Sequence, residues 1–121
     1  MGQKFEASTL DYLRGAKEVG IRTDKEPNRA VIIWAVVVGD AAYVRSVRGR
    51  AGKWYNAIAG EGRATLEVNN RLIPVRGIEV SDRPTIEAVS AEYLSKYATS
   101  PYAQSIVQPD TLPTTLRLEP I

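Results

Sequence analysis

The nine residues from Ala30 to Val38, AVIIWAVVV, constrain the fold more than any other stretch of the chain. A run of this length is too short to cross a bilayer, which takes about 18 to 20 apolar residues. Its β-branched side chains favour a strand over a helix. Because both alternating faces of the run are apolar, we predict a central strand that is covered on both sides.

Further strands are predicted on either side of this run. Alternating polarity and turn residues place them at 18–23, 42–47, 64–68, 71–80 and 114–118. Asn69 and Asn70 join two of these strands, since asparagine tolerates the positive φ of a tight turn. The sequence therefore predicts a mainly β (α+β) protein in which six antiparallel strands close into a small barrel.

Two or three helices are expected to cover this barrel. Asp82 has the position of an N-cap, and Pro84 falls in the first turn that follows it. Apolar residues then recur at helical spacing, so we expect Tyr93 and Tyr97 to pack against the barrel. A second, short helix is predicted from Lys53 to Ala59.

Composition excludes several classes of chemistry. The 121 residues are enough for one domain, 1–121, with a single core. The chain has no cysteine and no histidine, which excludes disulfides, ordinary zinc sites and histidine-dependent catalytic triads. We predict no metal site and name no catalytic residue. The N-terminus lacks the apolar segment of a signal peptide, so a cytoplasmic protein that does not enter a membrane is expected.

Basic residues are concentrated in one stretch, YVRSVRGRAGKWYN at 43–56. No acidic residue occurs between Asp40 and Glu61. Glycines allow backbone amides to approach an anion, and the N-terminus of a following helix favours negative charge. Guanidinium groups bind phosphate oxygens in pairs, and a serine hydroxyl adds another donor. The pattern indicates a phosphate-bearing ligand, bound by Ser46, Arg48, Arg50 and Lys53, with Trp54 and Tyr55 beside a flat ring.

Simpler interpretations of the same residues stay open. The basic side chains are also typical of a hairpin end that faces water. Trp54 and Tyr55 are better suited to the core than to a ligand site, and Trp34 is suited to the core or a dimer interface. Binding of single-stranded nucleic acid is a weaker alternative, because the basic strip is short and the net charge is only +2.

Three segments together resemble a known family: GDAAYVRSVRGRAGKWYNAI, LEVNNRLIPVRGIEVSD and TTLRLEP. They are similar to an uncharacterised bacterial split-barrel family, domain of unknown function 2255, over about Leu10 to Pro120. More distantly, the layout resembles deazaflavin-dependent nitroreductases and pyridoxamine phosphate oxidase-like flavoproteins. The resemblance implies a six-stranded split barrel of the FMN-binding type, and a homodimer with the cofactor near the subunit interface.

The resemblance also implies roles for individual residues. Ser46, Arg48, Arg50 and Lys53 match its phosphate-binding loop, and Trp54 and Tyr55 match the aromatic pair that opens the short helix. Arg29 matches a basic residue that reaches the cofactor, with Thr23 beside it.

We therefore expect a protein that binds FMN or a deazaflavin nucleotide and acts as a reductase. The alternative is a binding or structural module without the cofactor. That alternative is favoured by the segment TDKEPNR and by Asn56, at which the chain differs from deazaflavin relatives.

Overall fold

The structure, a computed structural model, describes residues 4–121 apart from the side chain of Glu61. Within these residues, seven strands form one antiparallel sheet: β1 Val19–Thr23, β2 Glu26–Ile33, β3 Ala35–Val38, β4 Ala41–Val44, β5 Arg63–Val68, β6 Arg71–Glu79 and β7 Leu116–Pro120. The α-helices are α1 Ala7–Gly15, α2 Lys53–Glu61 and α3 Arg83–Lys96. The described part of the chain includes no helix with the length and apolar character needed to cross a bilayer.

The order of the strands shows that the sheet curls back on itself. Across the sheet the order is β2-β1-β5-β6-β7-β4-β3, so β2 and β3 lie at opposite edges. Along the chain, however, Trp34 alone separates these two strands. Because consecutive Cα atoms are about 3.8 Å apart, the two edges must meet near this residue. The result is a split barrel.

The apolar run at 30–38 is therefore not the central strand that its pattern predicts. It divides at Trp34 into the two edge strands, and the count of strands rises from six to seven. Ile32 is 59% exposed, although its neighbour Ile33 is buried. The apolar pattern was misleading because it continues through Trp34, whereas the strand before Trp34 pairs with β1 and the strand after it pairs with β4.

The barrel interior is an apolar cluster to which every strand contributes. Only a sheet that curls round can bring side chains from both edges into one cluster. Helices α1 and α2 close this interior with Leu13 and Ile58, which are fully buried. Strand residues of the interior include Ile21, Ile33, Val37, Val44, Leu66, Val75 and Leu118.

A second cluster lies on the opposite face of the sheet, beneath α3. Val36 of β3 and Tyr43 of β4 point to this side, where they meet Val89 and Tyr93 of the helix. A 3₁₀ turn at Ala103–Val107 adds Ile106 to the same cluster. The expectation that Tyr93 and Tyr97 pack against the barrel is confirmed.

Local signals in the sequence predicted their structures correctly. Asn69 and Asn70 have φ values of 52° and 60° in the turn between β5 and β6. Asp82 caps α3 by accepting a 3.1 Å hydrogen bond from the backbone N–H of Thr85. The short helix predicted from Lys53 is α2, which continues to Glu61.

Candidate functional site

A cavity of about 940 Å³ opens between the β1–β2 hairpin and the segment that follows β4. Residues of β1 and β2 form one wall, and the segment 45–57 forms the other. Trp34, which connects the two edge strands, also lines the cavity. The cavity is therefore located where the barrel edges meet, and the stretch that the sequence marks as basic forms much of its lining.

The backbone of the segment after β4 turns sharply at Gly49. This residue has a φ of +61°, and a Cβ placed on it would lie 2.9 Å from the backbone oxygen of Asp110. Both observations require glycine here. The backbone N–H of Gly49 donates a hydrogen bond to Ser46 O, and that of Gly52 donates one to Gly49 O. These two bonds form the turn that leads to the start of α2.

The hydroxyl of Ser46 lies against Gly52 in the cavity wall. Ser46 is 1% exposed, and its Oγ has no hydrogen-bond partner among the described residues. A Cβ on Gly52 would lie only 2.2 Å from this oxygen. A buried hydroxyl without a partner is costly, so it points to a group that is bound there.

The N-terminus of α2 adds backbone N–H donors beside the Ser46 hydroxyl. Gly52 is the N-cap of α2 and provides no side-chain cap, and the first turn contains no acidic residue. The first N–H groups of a helix have no acceptor within the helix, and they favour an anion. Ser46 is held in place from behind, because its N–H donates a 3.0 Å hydrogen bond to Thr114 Oγ1.

Four exposed cations line the cavity, and one of them is Lys25 in the turn between β1 and β2. Arg48 and Lys53 line it from the loop and from the first turn of α2. Among the described side chains, neither of them forms an ion pair. Arg29 lines the opposite wall, and its Nη1 lies 3.8 Å from Glu26 Oε2. Free cations close to an unpartnered hydroxyl are suited to a phosphate group.

Two aromatic side chains flank the cavity. Trp54 is half-buried in its lining, and Trp34 stacks on Tyr97 with ring centroids 3.9 Å apart and planes 6° from parallel. The backbone oxygen of Trp34 accepts a 2.7 Å hydrogen bond from the hydroxyl of Tyr93. These contacts fix Trp34 at the cavity and provide an apolar surface for a planar ring.

The structure brings together five of the seven residues predicted from the sequence, and Thr23 with them: Arg29, Ser46, Arg48, Lys53 and Trp54. Tyr55 instead belongs to the barrel interior, at an angle of 85° to Trp54. Arg50 is exposed and does not line the cavity, although its backbone oxygen accepts a 2.7 Å hydrogen bond from Asn56.

Sequence reasoning missed two residues of the site. Gly52 appeared only as one glycine among several, and its contact with Ser46 depends on a fold-back that no local pattern encodes. Arg45 was predicted on the strand at 42–47, as one basic residue of the stretch, but it follows β4 and is buried in the cavity wall. One signal for Arg45 was available, since it comes directly after the apolar residues Ala41–Val44.

The curled antiparallel sheet and the cavity at its edges define a split-barrel protein. The chain belongs to the family described as "Uncharacterized protein conserved in bacteria (DUF2255)", whose model matches residues 9–118. No curated protein matches the sequence.

Solved structures with the same fold are similar over nearly the whole chain. The conserved hypothetical protein Rv2991 from Mycobacterium tuberculosis has a TM-score of 0.62 at 9% identity, covering 99% of this chain and 81% of that one. A proposed pyridoxamine 5′-phosphate oxidase from Listeria innocua has a TM-score of 0.59 at 10% identity, with coverages of 94% and 90%. An F420 reductase has a TM-score of 0.53 at 12% identity, with coverages of 92% and 91%. These likenesses establish the fold.

Proposed function

We propose that this protein binds a flavin or deazaflavin nucleotide in the cavity and acts as an oxidoreductase. The observation that carries the proposal is the buried Ser46 hydroxyl, which lacks a partner among the described residues and lies against Gly52 at the start of α2. A phosphate oxygen is the acceptor that such a hydroxyl and a helix N-terminus would share. The residues present therefore fit the phosphate of a nucleotide cofactor.

The dimensions and lining of the cavity support the same proposal. Its volume of about 940 Å³ lies within the range of small-molecule sites. Arg48 and Lys53 would add positive charge around the phosphate, while Trp34 and Trp54 would contact the ring. The likeness to an F420 reductase supports a deazaflavin, and the likeness to a proposed pyridoxamine 5′-phosphate oxidase supports FMN.

A flavin or deazaflavin would supply hydride transfer when bound, so the absence of histidine and cysteine from the chain is no obstacle. The chain's own residues would bind the phosphate, orient the ring and exclude water from one of its faces. Ile33 and Trp34 would take part in excluding water, because both are apolar wall residues.

Titration of the purified protein with FMN and with F420, followed by fluorescence, tests the proposal. We expect one of the two to bind and the Gly52→Ala variant to bind about 10- to 100-fold more weakly, because the new methyl group would collide with Ser46 Oγ and displace it. Gly60→Ala is the matched control on the same helix, since a Cβ there meets nothing within 4 Å. Equal affinity in both variants, or no binding by the native protein, would contradict the proposal.

Arg48 and Arg50 provide a second matched pair. Both are exposed arginines of the same loop, but only Arg48 lines the cavity. We expect Arg48→Ala to weaken cofactor binding about tenfold, the effect of losing one charge-assisted hydrogen bond. Arg50→Ala should change the affinity by less than about twofold. A larger effect for Arg50 would restore it to the phosphate site that the sequence predicted.

The second candidate is a module that binds a small phosphorylated molecule without a flavin ring. It is favoured because the Ser46 hydroxyl, the N-terminus of α2 and the nearby cations would bind a phosphate whether or not the ligand has a flavin ring. Thermal shifts with a panel of phosphorylated ligands distinguish the two candidates, since a saturating ligand stabilises the folded state by RT ln(1 + [L]/Kd). Stabilisation by sugar phosphates but not by FMN or F420 would favour the second candidate.

We also propose that the protein is a homodimer, with the mouth of the cavity at the interface. Three exposed apolar side chains lie at this mouth: Ile32, Val47 and Tyr102. A second copy that covered them would remove this surface from water and help to enclose a ligand. Light scattering after size-exclusion chromatography tests the proposal, and a monomer at micromolar concentration would contradict it.

A further inference from the structure

Arg45 is a buried cation in the cavity wall that the proposed function has not yet used. It follows β4 directly, lines the cavity and is only 1% exposed. Its guanidinium donates hydrogen bonds of 2.8 to 3.3 Å to four oxygens: Thr115 Oγ1, Ser90 Oγ, Ile86 O and Ile106 O. All four acceptors are neutral. The Tyr93 ring, 5.6 Å away, is also uncharged.

No acidic side chain in the described part of the chain pairs with Arg45. Burial lowers the pKa of Arg45, but a guanidinium keeps its proton in proteins. Buried charges are normally paired, because an uncompensated charge in a low-dielectric interior is costly. The molecule thus holds a positive charge at the cavity for which the described residues provide no counter-charge.

The rest of the cavity wall has the same sign. Its other charged residues are Lys25, Arg29, Arg48 and Lys53, with Glu26 as the one acid among the described lining residues. Exposed cations are screened by salt, whereas the field of a buried cation is screened much less. Arg45 is therefore the cation whose effect on a bound anion would persist at high ionic strength.

Arg45 and Ser46 are held by the same neighbouring segment. Thr115 accepts a hydrogen bond from the Arg45 guanidinium, and Thr114 accepts one from the Ser46 N–H. Thr111, Thr114 and Thr115 are all fully buried. The same segment therefore holds the side chain of Arg45 and the backbone of Ser46, two consecutive residues that both line the cavity.

We infer that Arg45 provides the buried counter-charge for a phosphate monoester dianion held at Ser46, and that it thereby selects an anionic ligand over a neutral one with the same ring. This inference rests on the proposed cavity site and specifies the charge of its ligand. Oxygens of the protein accept hydrogen bonds from four of the five N–H groups of the Arg45 guanidinium, so Arg45 acts chiefly through its electric field, as a positioning residue. A phosphate monoester loses its second proton near pH 6, so its dianion dominates at neutral pH.

FMN and riboflavin are the probes, because they share a ring and differ by the phosphate. We expect the native protein to prefer FMN, and Arg45→Met to reduce the ratio of the two affinities about tenfold. Arg45→Lys retains the charge and should keep most of the preference, although it loses the paired geometry of the guanidinium. If Arg45→Met keeps the native ratio, or if Arg45→Lys loses it as fully, the inference is overturned.

A second measurement leaves Arg45 in place and thus avoids any failure of the Met variant to fold. In the double variant Arg48→Ala, Lys53→Ala the exposed cations are removed from the phosphate end of the site. We expect a residual preference for FMN that is nearly the same at 0.1 and about 0.5 M salt, as for a buried charge. Loss of the preference in this variant would assign it to the exposed cations and overturn the inference.

Inorganic phosphate separates this inference from the proposed function. If the native protein binds neither FMN nor F420 but phosphate raises its melting temperature, and does not raise that of Arg45→Met, the proposed function fails and the role of Arg45 stands. If FMN binds and Arg45→Met keeps the native preference, the proposed function stands and the role of Arg45 fails. If FMN, F420 and phosphate all fail to bind, both fail.

Discussion

The two clusters on opposite faces of the sheet are built differently. The barrel interior consists of aliphatic side chains from all seven strands, with Tyr55 as one of its few polar members. The cluster beneath α3 contains Tyr93 and Tyr97 and lies against Arg45 and Lys96, which donate hydrogen bonds to particular oxygens. Apolar contacts have no preferred direction, whereas hydrogen bonds do. We infer that the barrel interior mainly stabilises the fold, whereas the cluster beneath α3, here called the outer cluster, mainly fixes the positions of the groups that accept its hydrogen bonds.

The hydrogen bonds that Tyr93, Tyr97 and Lys96 donate end on backbone oxygens next to the cavity, in α1 or just after α1. The hydroxyl of Tyr93 donates to Trp34 O at 2.7 Å, and that of Tyr97 donates to Lys17 O at 2.7 Å. Burial raises the pKa of both tyrosines, so both stay protonated donors over the physiological range. Lys96 Nζ donates to Leu13 O and to Ala35 O.

The largest effect on stability is expected in the barrel interior. Leu66→Ala would leave a cavity among fully buried neighbours and should lower the free energy of unfolding by about 2 to 5 kcal/mol. Leu72, on the adjacent strand, is 60% exposed, and Leu72→Ala should cost less than about 0.5 kcal/mol. Urea denaturation measures both. A similar cost for the two variants would show that the burial of Leu66 in the barrel interior does not stabilise the fold.

A smaller loss is expected from overfilling the interior. A Cβ on Gly77 would lie 2.6 Å from Ile58 Cγ2, so Gly77→Ala should cost about 1 to 3 kcal/mol of unfolding free energy. At Gly15 a Cβ meets nothing within 4 Å, so Gly15→Ala serves as the control. Chemical denaturation of the two variants decides, and an unchanged midpoint for Gly77→Ala would show that α2 shifts to make room.

A substitution in the outer cluster should change ligand affinity as well as the free energy of unfolding. Tyr93→Phe removes the hydroxyl that holds Trp34 and should cost about 0.5 to 1.5 kcal/mol. Ligand affinity should fall with it, because Trp34 lines the cavity, whereas Leu66→Ala should leave the affinity of the folded protein unchanged. Isothermal titration calorimetry measures the ligand affinity of both variants. Equal affinities for Tyr93→Phe and Leu66→Ala would show that the outer cluster does not position the cavity residues.

The smallest effect concerns pH. Burial lowers the pKa of Lys96 from its ordinary value of 10.5 to about 8. Between these values the unfolded chain holds a proton that the folded protein has lost, so stability should rise as the pH increases from 8 towards 10. A neutral amine still has two N–H donors for its two carbonyl acceptors, so both hydrogen bonds survive. The urea midpoint measures the rise.

Lys96→Met is the control for this dependence. It removes the titrating group, so the midpoint should be flatter over the same interval of pH. A native protein whose midpoint falls between pH 8 and 10 would contradict the lowered pKa of Lys96.

The sequence was sufficient for features that depend on near neighbours. The Asn69-Asn70 turn, the Asp82 cap and the short helix at Lys53 each depend on residues within about four positions. Ser46, Arg48 and Lys53 of the basic stretch line a cavity, and their role there stays a prediction. Composition added the absence of cysteine and histidine, which excluded whole classes of chemistry.

Features that depend on distant pairings were not predictable in this way. The two halves of the run at 30–38 have the same apolar character, yet they pair with β1 and β4 at opposite edges of the sheet. Arg45 and Arg48 are the same residue type three positions apart, yet one is buried against Thr115 and the other is exposed. Patterns in the chain thus set its turns, its helices and the location of its cations. Which strands become edges, and which arginine loses contact with water, depends on surfaces that meet only after the sheet has curled.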